Sequence, residues 1–112
     1  FARAMRVDAV PAQLHVSGTA AVVGHASQHA GDLDAQLRET FVNLDSLFAH
    51  AGVESGFGAA DLVKVYLRHA ADAAQVAAEL DRRLPRETPR LLLLGDICRR
   101  ELLVEIDGMR RA

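Results

Sequence analysis

Apolar residues recur at intervals of three and four positions between residues 32 and 51. This spacing places them on one side of an α-helix, and the stripe consists of Leu33, Leu37, Phe41, Leu44, Phe48 and Ala51. Asp32 and Asp34 favour the start of this helix through capping and the helix dipole, and Gly52 favours its end. The pattern therefore predicts a long amphipathic helix over 32–51.

A second helix is predicted from Asp72 onwards, because Asp72 and Gln75 have the spacing of a capping box before an alanine-rich segment. Its inward-facing residues are expected to be Val76, Leu80 and Leu84. Pro85 and Pro89 follow and end it, since proline cannot continue a helix.

Alternation of apolar and polar residues over 62–68 predicts a half-buried strand. One side carries Val63, Val65 and Leu67, and the other carries Lys64, Tyr66 and Arg68. Apolar runs predict two further strands at 90–94 and 102–106, on either side of a polar turn over 95–101.

Three shorter elements are predicted before the first helix. Residues 1–7 form a strand, and residues 12–23 form two short strands interrupted at Ser17 and Gly18. Glycine at the interruption permits a bulge or a close approach of other groups to the backbone. Residues 24–31 are predicted to be a polar loop.

These elements predict a single α+β domain over 1–112, with a six-stranded mixed sheet. Two amphipathic helices cannot cover both faces of one sheet, so they are expected on the same face. The other face is then left bare, and we expect other subunits to cover it.

Composition excludes several classes of protein. The formal net charge of -2 and a pI of about 6.2 give no reason to expect nucleic acid binding. The longest apolar run, 91–94, is too short to span a membrane, and the first residues lack an apolar signal core. The single cysteine, Cys98, excludes an internal disulfide and suits a reducing compartment, so a cytoplasmic location is expected.

Two residues are the main candidates for chemistry. Arg90 follows Thr88 and Pro89 at the start of a strand, where a guanidinium can grip a carboxylate through two parallel hydrogen bonds. The alternative is an exposed arginine in a surface ion pair. Glu105 is bracketed by aliphatic residues, and partial burial would raise its pKa towards the range of a general acid or base. The alternative is that Glu105 occupies an ordinary solvent-exposed position of a strand.

The remaining motifs are weaker. Cys98 could be a nucleophile, but a structural thiol is the simpler interpretation because no His or Asn stands near it in sequence. His25 and His29 lie in a predicted loop, so we predict no metal site. Gly56–Gly58 is too short for a phosphate loop, and no cofactor is predicted.

Five segments resemble the YjgF/RidA superfamily in order and spacing. They are 14–18, Gln36 to Thr40 with Asn43, 61–65, Pro89–Arg90 and 104–106. The resemblance implies a homotrimer with sites in the clefts between subunits. It also implies that Arg90 binds a substrate carboxylate and that Glu105 activates water.

Within that superfamily, residues 1–4, 17–20, 24–32 and 95–106 resemble the C-terminal half of the chorismatases. Those enzymes hydrolyse chorismate or convert it to a hydroxybenzoate with release of pyruvate. This resemblance implies that Glu105 is the general acid. The substrate-binding residues expected with it are Arg90, Ser17, Gly18, Ala20, Tyr66 and Cys98.

Two departures keep other functions open. Chorismatases carry two related halves in one chain, whereas this sequence contains one, and the small or thiol residue that RidA proteins have two positions after their arginine is Leu92. The first hypothesis is a cofactor-independent enzyme acting on a chorismate-like carboxylate in aromatic or secondary metabolism, as a hydrolase or lyase. The second is a 2-enamine or 2-imine deaminase, and the third is a non-catalytic member that binds small carboxylates or interacts with a partner.

Overall fold

The computed structural model describes residues 2–112, so Phe1 of the predicted first strand lies outside the described residues. These residues form seven strands, two α-helices and one 3₁₀ turn. In chain order they are β1 (Ala4–Val7), β2 (Gln13–Thr19), β3 (Val22–Val23), β4 (Ala26–Ser27), α1 (Leu33–Ala51), β5 (Leu62–Leu67), a 3₁₀ turn (Ala70–Asp72), α2 (Ala73–Arg83), β6 (Arg90–Leu94) and β7 (Val104–Arg111).

The main sheet has the strand order β1-β2-β7-β5-β6 within residues 2–112. Strand β5 is parallel to β6 and antiparallel to β7, and the other pairs are antiparallel. Both helices pack on one face, as predicted, through one core that includes Leu37, Phe48, Val65, Leu80 and Ile106. Neither helix has the length and apolar character needed to cross a bilayer.

Helix α1 follows the predicted pattern closely. The Asp32 carboxylate accepts a hydrogen bond from the backbone N–H of Ala35, which satisfies one of the free donors at the helix start. Gly52 ends the helix in the left-handed conformation with φ of 74°, and its N–H donates to Ala49. The predicted limits of this helix are confirmed.

Helix α2 begins differently from the prediction. Asp72 is the last residue of the 3₁₀ turn and makes no capping hydrogen bond with its side chain. Gln75 instead donates from Nε2 to the carboxylate of Asp34, at 2.9 Å, and so ties α2 to the start of α1. The two polar residues therefore do not form a capping box.

The predicted sheet of six strands is wrong by one strand, because residues 22–27 form the separate hairpin β3-β4. Strand β2 runs through Ser17 and Gly18 without ending, and the predicted irregularity appears as a shift of register between Val16 and Thr19. Strand β7 continues to Arg111, beyond the apolar run that revealed it. Polar residues at its end hid this extension.

Strands β5 and β7 approach each other unusually closely at Gly108. A methyl group on Gly108 would overlap the backbone carbonyl oxygen of Leu62. Gly108 pairs in register with Val63, whose side chain is completely buried in the core. The backbones therefore cannot separate without disturbing the core.

Replacing Gly108 with alanine is expected to lower the free energy of unfolding by about 1–3 kcal/mol, because a strand must shift to admit the methyl group. Gly58→Ala is the matched control, since a methyl group there would come no closer than 3.6 Å to its nearest neighbour. Denaturant unfolding of both variants measures the difference. Equal stabilities would contradict the explanation.

Candidate functional site

The sheet face opposite the helices carries a mixed row of apolar and charged side chains, and we call it the open face. Strand alternation and register place on it His15 from β2, Lys64 and Tyr66 from β5, Leu91 and Leu93 from β6, and Glu105, Asp107 and Met109 from β7. Leu91 and Leu93 are 48% and 37% exposed. They lie on β6, an edge strand of the sheet.

Glu105 lies near the start of β7, the middle strand of the sheet, in register with Tyr66 on β5. Its side chain is partly buried, and burial, followed by the charge of Asp107, raises the pKa of its carboxyl above the usual range. Within residues 2–112, hydrogen bonding makes no contribution to this pKa. A proton is therefore held here more tightly than on an ordinary glutamate.

The carboxyl of Glu105 rests against the backbone of Gly18. A methyl group on Gly18 would lie 2.7 Å from Cδ of Glu105 and within 2.9 Å of both carboxyl oxygens. The irregular register between Val16 and Thr19 brings this part of β2 alongside β7. Glycine at position 18 leaves room for this close approach, and the shift of register confirms the bulge expected there from the sequence.

A second carboxylate of the open face is neutralised locally. Asp107 lies 3.2 Å from the ammonium of Lys64, and the contact with this carboxylate raises the pKa of Lys64. The open face therefore combines an ion pair with the Glu105 carboxyl, which has no charged partner within residues 2–112.

The structure does not bring Arg90 and Glu105 together, contrary to the expectation of one shared cleft. Arg90 pairs with Val63 and Glu105 with Tyr66, three residues further along β5, which corresponds to about 10 Å. The Arg90 guanidinium points to the helix face, where it lies 3.3 Å from Asp81 of α2.

Arg90 has a structural role in this chain. It donates to the backbone carbonyls of Thr88 and Pro85 at 3.1 and 2.6 Å, and so fixes the turn between α2 and β6. The alternative interpretation, an exposed arginine in a surface ion pair, agrees with the contact to Asp81, but the Arg90 side chain is only 16% exposed.

Ser17 and Ala20 also make contacts that the sequence did not reveal. The Ser17 hydroxyl donates to the carbonyl of Ala2 at 2.7 Å, and its N–H donates to Arg3 at 3.0 Å. Both donors are therefore engaged within the chain, whereas the resemblance had implied that Ser17 binds the substrate. Ala20 is buried, and its carbonyl accepts a hydrogen bond from Asn43 of α1.

Cys98 lies in segment 95–103, which connects the end of β6 to the start of β7. This connection is at the same end of the sheet as Glu105 and Tyr66. Its side chain is exposed and its neighbour Ile97 is buried with Leu102. Gly18, Tyr66, Cys98 and Glu105 are thus found at one end of the sheet.

Two polar residues that sequence reasoning did not single out fix this segment. Arg68 donates to the carbonyls of Ile97, Arg99 and Leu102 at 2.8–2.9 Å. One indication of this role is visible in the sequence, which is the position of Arg68 at the end of a strand with alternating apolar and polar residues.

Gln36 fixes the other side of the same segment from within α1. Its side chain is completely buried, donates to the carbonyls of Glu101 and His29, and accepts from the N–H of Leu103. A glutamine in the apolar stripe of a helix needs such partners, because a buried unpaired amide is costly. A glutamine at a buried helix position could therefore have been identified from the sequence as a residue with polar partners.

The β3-β4 hairpin is attached to segment 95–103 by polar contacts. Arg99 donates to the carbonyl of His25 at 2.7 Å and to the hydroxyl of Ser27 at 3.1 Å. Ser27 in turn donates to Glu101, and hydrogen bonds from the Glu101 backbone and from Ser27 lower the pKa of that carboxyl. The β3-β4 hairpin and segment 95–103 are therefore held together as one continuous surface.

Replacing Glu105 with glutamine is expected to stabilise the fold near neutral pH. An unfolded glutamate ionises around its ordinary pKa of 4.5, whereas the folded one keeps its proton to a higher pH. Stability contributed by this group therefore falls as the pH rises between the two values and stays low above them. Glutamine cannot ionise and avoids that loss.

Denaturant unfolding of Glu105→Gln, compared with the unchanged chain, should show a gain at about pH 7 that disappears below about pH 4. Glu87→Gln, at an exposed turn position, serves as the control and should show no such gain. A gain of equal size at both pH values would contradict the proposed burial effect.

Comparison with curated proteins places the chain beside two enzymes of Streptomyces. It is 39% identical over 105 residues to a chorismatase of Streptomyces rapamycinicus, covering 87% of this chain and 31% of that protein. It is 37% identical over 110 residues to a 3-hydroxybenzoate synthase of Streptomyces hygroscopicus, covering 91% of this chain and 32% of that protein. The chain spans about a third of the length of these relatives. No family model matches it.

Solved structures agree with this likeness. A chorismatase crystal structure superposes with a TM-score of 0.82 at 34% identity, over 98% of this chain and 36% of that one. The Rid family protein YyfA of Yersinia pestis gives 0.81 at 15% identity, over 100% and 87% of the two chains, and at that identity the likeness shows the fold alone. The predicted resemblance is therefore confirmed: this chain has the fold of the YjgF/Rid proteins and is similar in sequence and structure to about one third of a chorismatase.

Proposed function

We propose that this chain provides one wall of an active site that acts on a small unsaturated carboxylate of the chorismate class. The observation that carries the proposal is the Glu105 carboxyl, which is partly buried, has a raised pKa and rests on Gly18. The identity to a chorismatase and a 3-hydroxybenzoate synthase over almost the whole chain supports this substrate class.

Glu105 has the properties required of a general acid. A carboxyl whose proton is held more tightly than usual remains partly protonated closer to neutral pH, where it can give that proton to a substrate. Its position over Gly18 places the carboxyl on the open face of the sheet, not in the core. A substrate bound on the open face would meet it there.

The chemistry of an enol ether fits such an acid. Glu105 transfers its proton to the terminal methylene carbon of the enol ether, which leaves an oxocarbenium ion on the side chain. Water adds to this ion and returns a proton to Glu105. The resulting hemiketal breaks its bond to the ring oxygen and releases pyruvate and the ring alcohol. No oxidant or reductant is consumed.

The open face forms one side of the proposed site, and a second surface has to supply the group that binds the substrate carboxylate. Arg90 does not face Glu105, so the positive charge that binds the substrate carboxylate has to come from elsewhere. We place it on a neighbouring copy in a homotrimer, with the cleft between copies as the site. The half-exposed Leu91 and Leu93 on the open face support a covering partner, because clustered apolar side chains favour association.

Replacing Glu105 with glutamine should reduce turnover of chorismate by about a hundred-fold or more, because glutamine cannot donate the required proton. Pyruvate release, together with chromatography of the ring product, measures the rate. Glu87→Gln should retain the original rate, and light scattering should show the same assembly for both variants. An unchanged rate in Glu105→Gln would overturn the assignment of the acid.

The same assay separates the other two functions. A freshly generated 2-imino acid is supplied beside chorismate. Hydrolysis of the imino acid alone would show a deaminase, and binding of carboxylates without turnover of either substrate would show a non-catalytic binding protein. Either result would overturn the chorismate proposal.

Gly18→Ala tests the contact that positions the carboxyl. The added methyl group would displace the end of a flexible side chain rather than a backbone, so the fold should be kept while Glu105 moves. A fall in rate of about ten- to a hundred-fold is expected for such a misplacement. In the double variant with Glu105→Gln, alanine at position 18 should cause no further loss, because both changes act on one group. Additive losses would show that Gly18 acts independently of Glu105.

A further inference from the structure

Arg68 follows β5 directly and directs its guanidinium at segment 95–103. Its Nη2 donates to the carbonyl of Ile97 at 2.9 Å and to that of Arg99 at 2.8 Å, and its Nε donates to Leu102 at 2.9 Å. The side chain is only 16% exposed. One planar group therefore holds three carbonyls in fixed relative positions.

Two of these carbonyls belong to the residues on either side of Cys98. The carbonyls that precede and follow Cys98 by one residue therefore both accept from the same nitrogen of Arg68. The segment has no strand or helix of its own between β6 and β7, so its shape depends on such contacts. Its apolar anchors are Ile97 and Leu102, and Cys98 itself is exposed.

The backbone of Arg68 joins the same arrangement. Its N–H donates to the carbonyl of Leu103 at 3.2 Å, one residue before β7 begins. Leu67 and Tyr66, the residues before it, pair with Val104 and Glu105. Arg68 thus connects the position of the thiol segment to the strand that carries the carboxyl.

Arg68 is poorly suited to hold a substrate carboxylate itself. Nε and both protons of Nη2 are committed to backbone carbonyls. The remaining nitrogen, Nη1, lies 3.6 Å from the carboxylate of Asp96, which is fully exposed. To bind an anion through two parallel hydrogen bonds, Arg68 would have to break hydrogen bonds that hold segment 95–103.

We propose that Arg68 is a positioning residue of the site: it fixes Cys98 and the residues on either side of it as a rigid part of the wall beside Glu105. This inference rests on the proposed function for its catalytic consequence. The positioning itself is a property of the chain and can be measured without any substrate.

The test compares Arg68→Met with Arg82→Met. Methionine keeps an unbranched side chain but donates no hydrogen bonds. Arg82 is an exposed arginine on α2 that, among residues 2–112, pairs with Glu79 alone. Amide hydrogen exchange is followed over 95–103 and over the helices. The rate of modification of the thiol by a neutral disulfide reagent reports on the same segment, because Cys98 is the only cysteine.

In Arg68→Met we expect exchange over 95–103 to accelerate at least about ten-fold while exchange in α1 and α2 stays unchanged, since the lost contacts are local. The thiol modification rate should change as well. With chorismate as substrate, kcat should fall at least about ten-fold with KM within about two-fold, as expected when placement rather than binding is lost. Arg82→Met should match the unchanged chain throughout.

Arg68→Lys adds a second check, because an ammonium keeps the charge but cannot span three carbonyls. It should resemble the methionine variant in exchange and in kcat. Unaltered exchange over 95–103 in both variants would overturn the inference. If exchange accelerates but the original chain does not act on chorismate, the positioning stands and the proposed function fails. If all segments of the variants exchange faster, Arg68 supports the whole fold and the specific role is refuted.

Discussion

The arrangement of this molecule follows from the fact that its helices cover one face of the sheet only. The buried side chains of β5 and β7 all meet α1 and α2 on that face, and the alternate side chains are left without cover. Every charged group proposed for chemistry is therefore on strands whose other side is anchored in a rigid core. This gives a carboxyl such as Glu105 a firm support and an open approach at the same time.

The sequence predicted those parts that have a local cause. The spacing of apolar residues in α1 and its caps at Asp32 and Gly52 were visible, and so was the alternation in β5 that separates Val65 from Tyr66. The sheet faces follow from such patterns because burial of alternate residues leaves a periodic record. The need for glycine at position 18 was also recognisable, although its partner was not.

The prediction that Arg90 and Glu105 approach one cleft failed for a reason that their separation in sequence does not reveal. Fifteen residues separate them, but the connection through segment 95–103 decides which face each side chain meets. A strand register that sets Arg90 beside Val63 puts it among the helices. The contacts of Arg68 and Gln36 with segment 95–103 were equally hidden, because they join residues more than twenty-five positions apart and leave no periodic pattern.

Strand β6 has a further consequence for handling the protein. It lies at one edge of the sheet, and Leu91, Leu93 and Leu94 are exposed along it. An edge strand offers unpaired backbone groups to any other extended chain, and these leucines carry none of the charges that usually discourage such pairing. At high concentration an isolated copy would be expected to aggregate from this strand first, so a lysine introduced at Leu94, which is 67% exposed, is the natural choice for keeping the chain dispersed.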